Sequence, residues 1–145
     1  IPDFAGNWKN LQKIIDVAPE VVSHNLETVR RLTKQVRIQA KYDRSLEVLM
    51  RLKKGGMKTK SGVMLGLGET ENEIIETIDD LSSIQVDILT LGQYLQPTPK
   101  HLKVQNFIHP EKFDEYRKYA LSKGFRFVES GPLVRSSYHA EKHVF

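Results

Sequence analysis

Residues 61–67, Ser-Gly-Val-Met-Leu-Gly-Leu, form an apolar run without polar alternation. A strand with one wet face alternates polar and apolar side chains. An unbroken run suits a strand covered on both faces, as in a parallel sheet. Residues 86–91 make a second run of this kind, and 21–26 and 125–128 read as shorter strands. The stretches between them have helical spacing. Residues 7–16 place Trp8, Leu11, Ile14 and Ile15 on one face, and Pro19 breaks the pattern. Residues 44–54 carry Leu46, Val48, Leu49 and Leu52, with Gly55-Gly56 as the stop. Thr70 reads as an N-cap, with Glu71 and Glu73 where the positive end of the helix dipole favours carboxylates. Ile74, Ile75, Ile78 and Leu81 form that helix's stripe. Pro110 opens a further helix through Phe113, Tyr116, Tyr119, Ala120 and Leu121, closed by Lys123-Gly124. Strands separated by such helices predict right-handed crossovers and a parallel α/β sheet. A doubly wound domain can close in 145 residues. A whole (β/α)₈ barrel takes about 250, so only part of one fits.

Composition narrows the function classes. The chain has no cysteine, which excludes disulfides, thiolate nucleophiles and cysteine-held zinc or iron–sulfur centres within it. Its net charge of +4 comes from scattered residues rather than a basic stripe, so no nucleic-acid partner is expected. No apolar run approaches the roughly 20 residues of a membrane span, so no membrane partner is expected. The start, Ile1-Pro2-Asp3-Phe4, lacks the basic and apolar regions of a signal peptide. Both ends fall inside elements, and the chain is expected to be a fragment or a processed chain rather than a whole gene product.

In α/β folds the active groups gather where strands end. The four endings are His24-Asn25-Leu26-Glu27-Thr28, Gly66-Leu67-Gly68-Glu69-Thr70, Gly92-Gln93-Tyr94-Leu95-Gln96-Pro97 and Glu129-Ser130-Gly131-Pro132. Each is polar or glycine-rich, which together predicts a rim that binds a polar ligand. The Gly62 to Glu69 stretch lets backbone approach a ligand, or is a plain turn with Glu69 beside the N-cap. It is neither a P-loop nor a dinucleotide fingerprint. His24 is a ligand or base, or, as is commoner inside an apolar strand, a hydrogen-bonded core residue. Glu27 is solvated or holds a ligand hydroxyl or amine. Arg30, Arg31 and Arg37 meet a ligand carboxylate or form a solvated face. His101, His109 and His143 lack metal-ligand spacing and are expected to face solvent. Residues 134–140 have no regular pattern and read as a surface tail.

Four segments taken together are more specific. They are Ser-His-Asn-Leu-Glu-Thr-Val from Ser23, Thr-Lys-Ser-Gly-Val-Met-Leu-Gly-Leu-Gly-Glu-Thr from Thr59, Asp-Ile-Leu-Thr-Leu-Gly-Gln-Tyr-Leu-Gln-Pro from Asp87, and Ser-Gly-Pro-Leu-Val-Arg-Ser-Ser-Tyr-His-Ala from Ser130. In this order they resemble the lipoyl synthase family of radical S-adenosylmethionine (SAM) enzymes. The resemblance implies the C-terminal half of a partial TIM-type (β/α) barrel over residues 1–133, with a tail over 134–145 that carries Arg135-Ser136-Ser137-Tyr138. It implies insertion of two sulfur atoms, at C6 and C8, into an octanoyl chain borne by a lipoyl carrier domain. The carriers would be those of 2-oxoacid dehydrogenase complexes or the glycine cleavage H protein. It also implies two [4Fe–4S] clusters, one cleaving SAM to a 5′-deoxyadenosyl radical and one donating sulfur. A cytoplasmic location is implied, mitochondrial in a eukaryote.

By the same resemblance, Gly62, Gly66 and Glu69 belong to a glycine motif beside adenine. Asn25 and Glu27 bind the ribose or methionyl part of SAM, and Arg37 its carboxylate. Gln93, Tyr94 and Leu95 line the adenine side or the octanoyl channel. Ser137 is an oxygen ligand of the sulfur-donating cluster, and Arg135 steadies the cluster or that serine. The family's cluster cysteines precede the matching segment, so this chain alone is expected to be inactive and to need the missing N-terminal half. The competing reading is a non-catalytic α/β module that binds a nucleoside or a protein.

Overall fold

The computed structural model describes residues 1–135 and 140–143. Four strands, β1 (Val21–Ser23), β2 (Lys58–Leu65), β3 (Ile88–Gln93) and β4 (Phe127–Gly131), form one parallel sheet in chain order. The helices are α1 (Trp8–Val17), α2 (Thr33–Val36), α3 (Tyr42–Lys54), α4 (Glu71–Ser83) and α5 (Pro110–Ser122). Strands that follow one another in order through right-handed crossovers keep their helices on one face. That is the winding of a barrel; a doubly wound sheet reverses at a switch point. One core accordingly joins Leu49 of α3, Ile74, Ile78 and Leu81 of α4, and Phe113 and Ala120 of α5 to the outward side chains of the strands, Val63, Leu65, Leu89, Leu91 and Val128. The fold is a parallel sheet with helices on its outer side, part of a TIM-type barrel.

Local chemistry sets the elements. Thr70 and Glu73 form a capping box: the Thr70 hydroxyl accepts from the Glu73 N–H at 3.2 Å, and the Glu73 carboxylate accepts from the Thr70 N–H at 2.9 Å. Pro110 occupies the first turn of α5, where its missing N–H costs nothing, and His109 Nδ1 accepts from the Glu111 N–H. Helix α1 buries Leu11 in a second core with Val22, Val48, Leu52 and Met57, and Trp8 lies 4.1 Å under the Arg51 guanidinium.

Several expectations are corrected. The first strand stops at Ser23, and Glu27 rejoins the sheet as a single bridge to Val63 with a left-handed φ of 68°. The last two strands start about two residues later than their apolar runs, at Ile88 and Phe127. Val86 and Phe125 are buried core residues of the helix-to-strand turns, apolar without being in the ladder. His143 does not face solvent. Residues 140–143 form a 3₁₀ turn that carries its ring, 2% exposed, onto the inner face of the sheet. Phe127 lies 5.4 Å away ring to ring, and Lys60 Nζ is 3.1 Å from His143 Nδ1. His24 is the satisfied core residue: it points outward, with Nδ1 at the Ile1 carbonyl and Nε2 at the Ser45 hydroxyl of α3.

Candidate functional site

Strand alternation sends Lys60, Gly62 and Met64 of β2 inward, in register with Ile88, Thr90 and Gly92 of β3 and with Phe127, Glu129 and Gly131 of β4. The upper rows of this inner face surround a cleft of about 250 Å³ at the C-terminal ends of the strands. Asn25 and Glu27 wall it from β1's extension, Gly62, Val63 and Met64 from β2, and Thr90, Gly92, Gln93 and Leu95 from β3. Val134 and Arg135 close it from the tail.

The cleft exists because two inward positions lack side chains. A Cβ on Gly62 would lie 2.6 Å from Thr90 Oγ1 and 3.2 Å from Asn25 Oδ1; that Oδ1 accepts the Gly62 N–H at 3.0 Å. A Cβ on Gly92 would lie 2.3 Å from the Val134 carbonyl oxygen. The left-handed Glu27 is held by both its backbone groups: its N–H donates to the Gly62 carbonyl at 3.0 Å, and its carbonyl accepts from Met64 at 2.8 Å. A non-glycine residue held at positive φ marks a position the surrounding fold over-determines.

Of the residues expected at the site, Asn25, Glu27, Gly62, Gln93, Leu95 and Arg135 are brought together here. Gln93 lines the wall while its amide holds the neighbouring loop: Nε2 donates to the Tyr94 and Asn106 carbonyls, and Oε1 accepts from the Ile108 N–H. Arg135 Nη1 donates to its neighbour's carbonyl, that of Val134, at 2.7 Å.

Four expected residues lie outside the cleft. Arg37 is behind Glu27, donating to the Leu26 carbonyl and the Ser45 hydroxyl. Burial pushes its pKa down, and the Glu27 charge opposes that shift. Gly66, at φ 106°, faces the Gln93 amide and the Asn106 carbonyl instead of a ligand. The Glu69 carboxylate folds back to accept from Gly66 N–H at 3.0 and 3.1 Å and from Leu67 N–H at 3.2 Å. Burial still pushes its pKa up, outweighing those bonds. Tyr94 packs with Val29, Leu32 and Leu67, and its hydroxyl donates to the Leu102 carbonyl. Ser137 lies outside the described residues. Arg30 and Arg31 serve ion pairs with Asp43 and Glu73.

Thr90 and Val134 were not expected as site residues, and Met64 and Gly92 lay within the expected rim segments without a role of their own. Thr90 and Gly92 share the parity of Gly62 and Met64 across one ladder, a signal visible only once the register is known. Among the described residues no group of three or more His, Asp or Glu could hold a metal ion. None of their helices is long and apolar enough to cross a membrane.

The geometry agrees with what the chain is similar to. The radical SAM superfamily profile matches residues 1–81, and the chain belongs to that superfamily. Within it, the chain is 65% identical over 99% of its length to the mitochondrial lipoyl synthase of Nematostella vectensis, half of which it covers. It is 56% identical over 98% of its length to the lipoyl synthase of Bacillus subtilis strain 168, covering 48% of that protein. The chain thus spans about half the length of the curated relatives it matches. Among solved structures, Streptococcus suis SuiB bound to S-adenosylmethionine matches 77% of the chain with a TM-score of 0.57 at 14% identity, over 26% of SuiB. SuiB bound to its precursor peptide SuiA matches 83% of the chain at 0.54 and 13% identity, over 28% of SuiB. At that identity the likeness is one of fold.

Proposed function

We propose that this chain is the part of a lipoyl synthase that supplies one wall of its SAM site. The observation that carries the reading is the cleft carved by Gly62 and Gly92 at the strand ends of a radical SAM superfamily member. The residues present fit SAM. The missing side chains leave flat backbone for a purine, and the Asn25 amide, Glu27 carboxylate and Thr90 hydroxyl suit a ribose and an ammonium group. SAM, reductively cleaved, would supply the radical that abstracts hydrogen from an octanoyl chain on a carrier domain, before sulfur enters at C6 and C8.

What the chain's own residues do is bind and orient. Glu27 accepts hydrogen bonds from ligand hydroxyl or ammonium groups at a carboxylate whose backbone is fixed on both sides. Asn25, its carbonyl spent on Gly62, offers its amide N–H groups inward. Gln93 keeps the 106–108 loop against the rim, and Leu95 with Val134 gives the cleft an apolar side suited to an acyl chain.

The chain does not by itself fit a [4Fe–4S] cluster, because it has no cysteine. In this reading the thiolates belong to the part of the relatives that the chain does not span, and no step is derived through them. Ser137 is proposed as an oxygen ligand, and Arg135 as its neighbour, on the resemblance of Arg135-Ser136-Ser137-Tyr138 alone. The carriers are proposed to be lipoyl domains of 2-oxoacid dehydrogenase complexes or the H protein, met in the cytoplasm or a mitochondrial matrix.

Calorimetry on the full-length protein tests the reading. Glu27→Ala is expected to raise the SAM Kd about tenfold or more, the scale of one charge-assisted hydrogen bond. An unchanged Kd removes Glu27 from the site. Ser137→Ala is expected to abolish lipoyl formation while 5′-deoxyadenosine still forms, and normal lipoyl product refutes its assignment.

A further inference from the structure

We propose that the loop after β3, residues 95–109, is a preformed docking surface for an acidic protein domain that offers an acyl chain to the cleft. The acyl cargo rests on the proposed lipoyl synthase reading; the surface rests on how the loop is built. Three rim groups hold it. The Gln93 amide grips the backbone on both sides of Phe107, donating to the Asn106 carbonyl at 3.1 Å and accepting from the Ile108 N–H at 2.9 Å. The Gly66 carbonyl accepts from the Gln105 N–H at 2.8 Å. The Tyr94 hydroxyl donates to the Leu102 carbonyl at 2.6 Å. Val104 and Ile108 pack inward against the cores. At the loop's start, Gln96 Nε2 donates to the Thr98 and His101 carbonyls, and Pro97 and Pro99 restrict the backbone.

The loop's other apolar side chains are left in water: Phe107 is 73% exposed, Leu95 49% and Leu102 39%. A loop free to rearrange would turn such groups inward, whereas this one is bonded so that they face out. An aromatic ring on a fixed backbone is the form an interface anchor takes, because little ordering remains to be done on binding. Leu95 belongs to both surfaces, since it also lines the cleft. It makes the apolar path from the loop to the site continuous. β3 is an inner strand, and further strands of a barrel would join at the free edges of β1 and β4 rather than above this loop.

Charge identifies the partner. Between Asp87 and Glu111 the sequence has no acidic residue, while Lys100 and Lys103 are exposed. Among the described residues neither lysine has an ion-pair partner. On the neighbouring helix α5 the pattern is the opposite: Lys112 pairs with Glu71 and Glu115, and Lys118 with Asp114. Two uncompensated cations flanking an exposed ring complement a protein surface that carries carboxylates around an apolar contact.

Kinetics of the full-length enzyme test this with octanoylated H protein and with a short octanoyl-lysine peptide, which offers the cargo without a folded surface. Phe107→Ser should raise the KM for the H protein about tenfold, with kcat and all peptide kinetics within about twofold. The double variant Lys100→Glu, Lys103→Glu should raise that KM about fivefold at about 0.05 M salt. The difference should vanish near 0.5 M, where charges on the surface are screened. An unchanged KM in both variants would overturn the docking surface. Equal losses with peptide and H protein would also overturn it, by assigning the residues to the cleft. A loss in Phe107→Ser alone would keep the apolar contact and overturn the acidic partner; a loss in the lysine variant alone would overturn the ring as anchor. A lowered melting temperature or a dimer-to-monomer change in Phe107→Ser, with unaltered KM, would mean that the same chain or a second copy covers the loop. If the unsubstituted enzyme turns over neither substrate yet binds the H protein in calorimetry, with the losses described, the functional reading fails and the docking surface stands.

Discussion

Alanine at Gly92 adds one methyl group where the sheet and the tail touch. Gly92 pairs with Met64 and Gly131 and has no positive φ, so alanine meets no conformational penalty there. The cost is contact alone. The new Cβ would stand 2.3 Å from the Val134 carbonyl oxygen and 3.2 Å from its carbon. A comfortable carbon–oxygen contact is about 3.3 Å, so the carbonyl must retreat by roughly 1 Å. That oxygen is main chain, and it cannot move without lifting residues 133–135. If the lift frees the Val134 side chain, it forfeits up to about 1.5–3 kcal/mol of apolar burial, a shift of roughly 10- to 150-fold in the docking of the tail. Gly131→Ala is the matched control. Its Cβ would meet Val134 Cγ2 at 3.6 Å, an ordinary contact. The reporter is the Val134 amide, bonded to the Gly131 carbonyl, read by hydrogen exchange in the full-length protein. Gly92→Ala should speed its exchange by tenfold or more and weaken SAM binding, because Val134 and Arg135 line the cleft; the sheet's own amides should be little affected. Wild-type exchange in Gly92→Ala, or an equal loss in Gly131→Ala, would refute the reasoning.

Two further outcomes follow from the folded frame. Thr70→Ala removes the hydroxyl half of the capping box of α4 and should cost about 1 kcal/mol in urea denaturation; a loss below a few tenths would mean that Glu73 and water satisfy the helix end without it. Burial pushes His24 below its ordinary 6.5, opposed in part by its bond to the Ile1 carbonyl. The unfolded chain therefore takes up the proton first: the stability His24 confers is whole above about pH 6.5 and is lost as pH falls below it. His24→Gln should flatten the melting temperature between about pH 7 and 5, and an unchanged slope would assign the dependence to another group.

The element order was readable because burial on two faces leaves a one-dimensional trace. The unbroken apolar run at 61–67 marks β2, which the ladder shifts to Lys58–Leu65, and the helical stripe from Ile74 to Leu81 became α4. Boundaries failed where burial and pairing part company, as at Val86 and Phe125, which are apolar for the core and unpaired in the ladder. The site was half legible for a related reason. Polar strand ends identify the rim, but a carboxylate in a turn can point out to a ligand or back to its own amides. Glu27 and Glu69 look alike in sequence. One lines the cleft, and the other closes the turn on Gly66 and Leu67. His143 left no local signal, since its partners Lys60, Phe127 and Glu129 lie on two other strands.

Strand alternation explains how one short sheet can be both rigid and hollow. Each strand sends alternate residues to opposite faces, so the same backbone carries two unrelated demands. Outward, β2 and β3 bury Leu65, Leu89 and Leu91 completely or nearly so. Inward, the same strands present Gly62 and Gly92, where glycine costs roughly 0.5–1 kcal/mol each relative to alanine. The fully packed outer face offsets that cost without sharing a side chain with the cleft. Glu27 extends the logic: its left-handed turn would be unfavourable in a free chain, yet two ladder bonds to Gly62 and Met64 hold it. The strain therefore sits on the hollow face and the packing on the other. A ligand can then meet backbone at the strand ends while the sheet that positions it stays fixed.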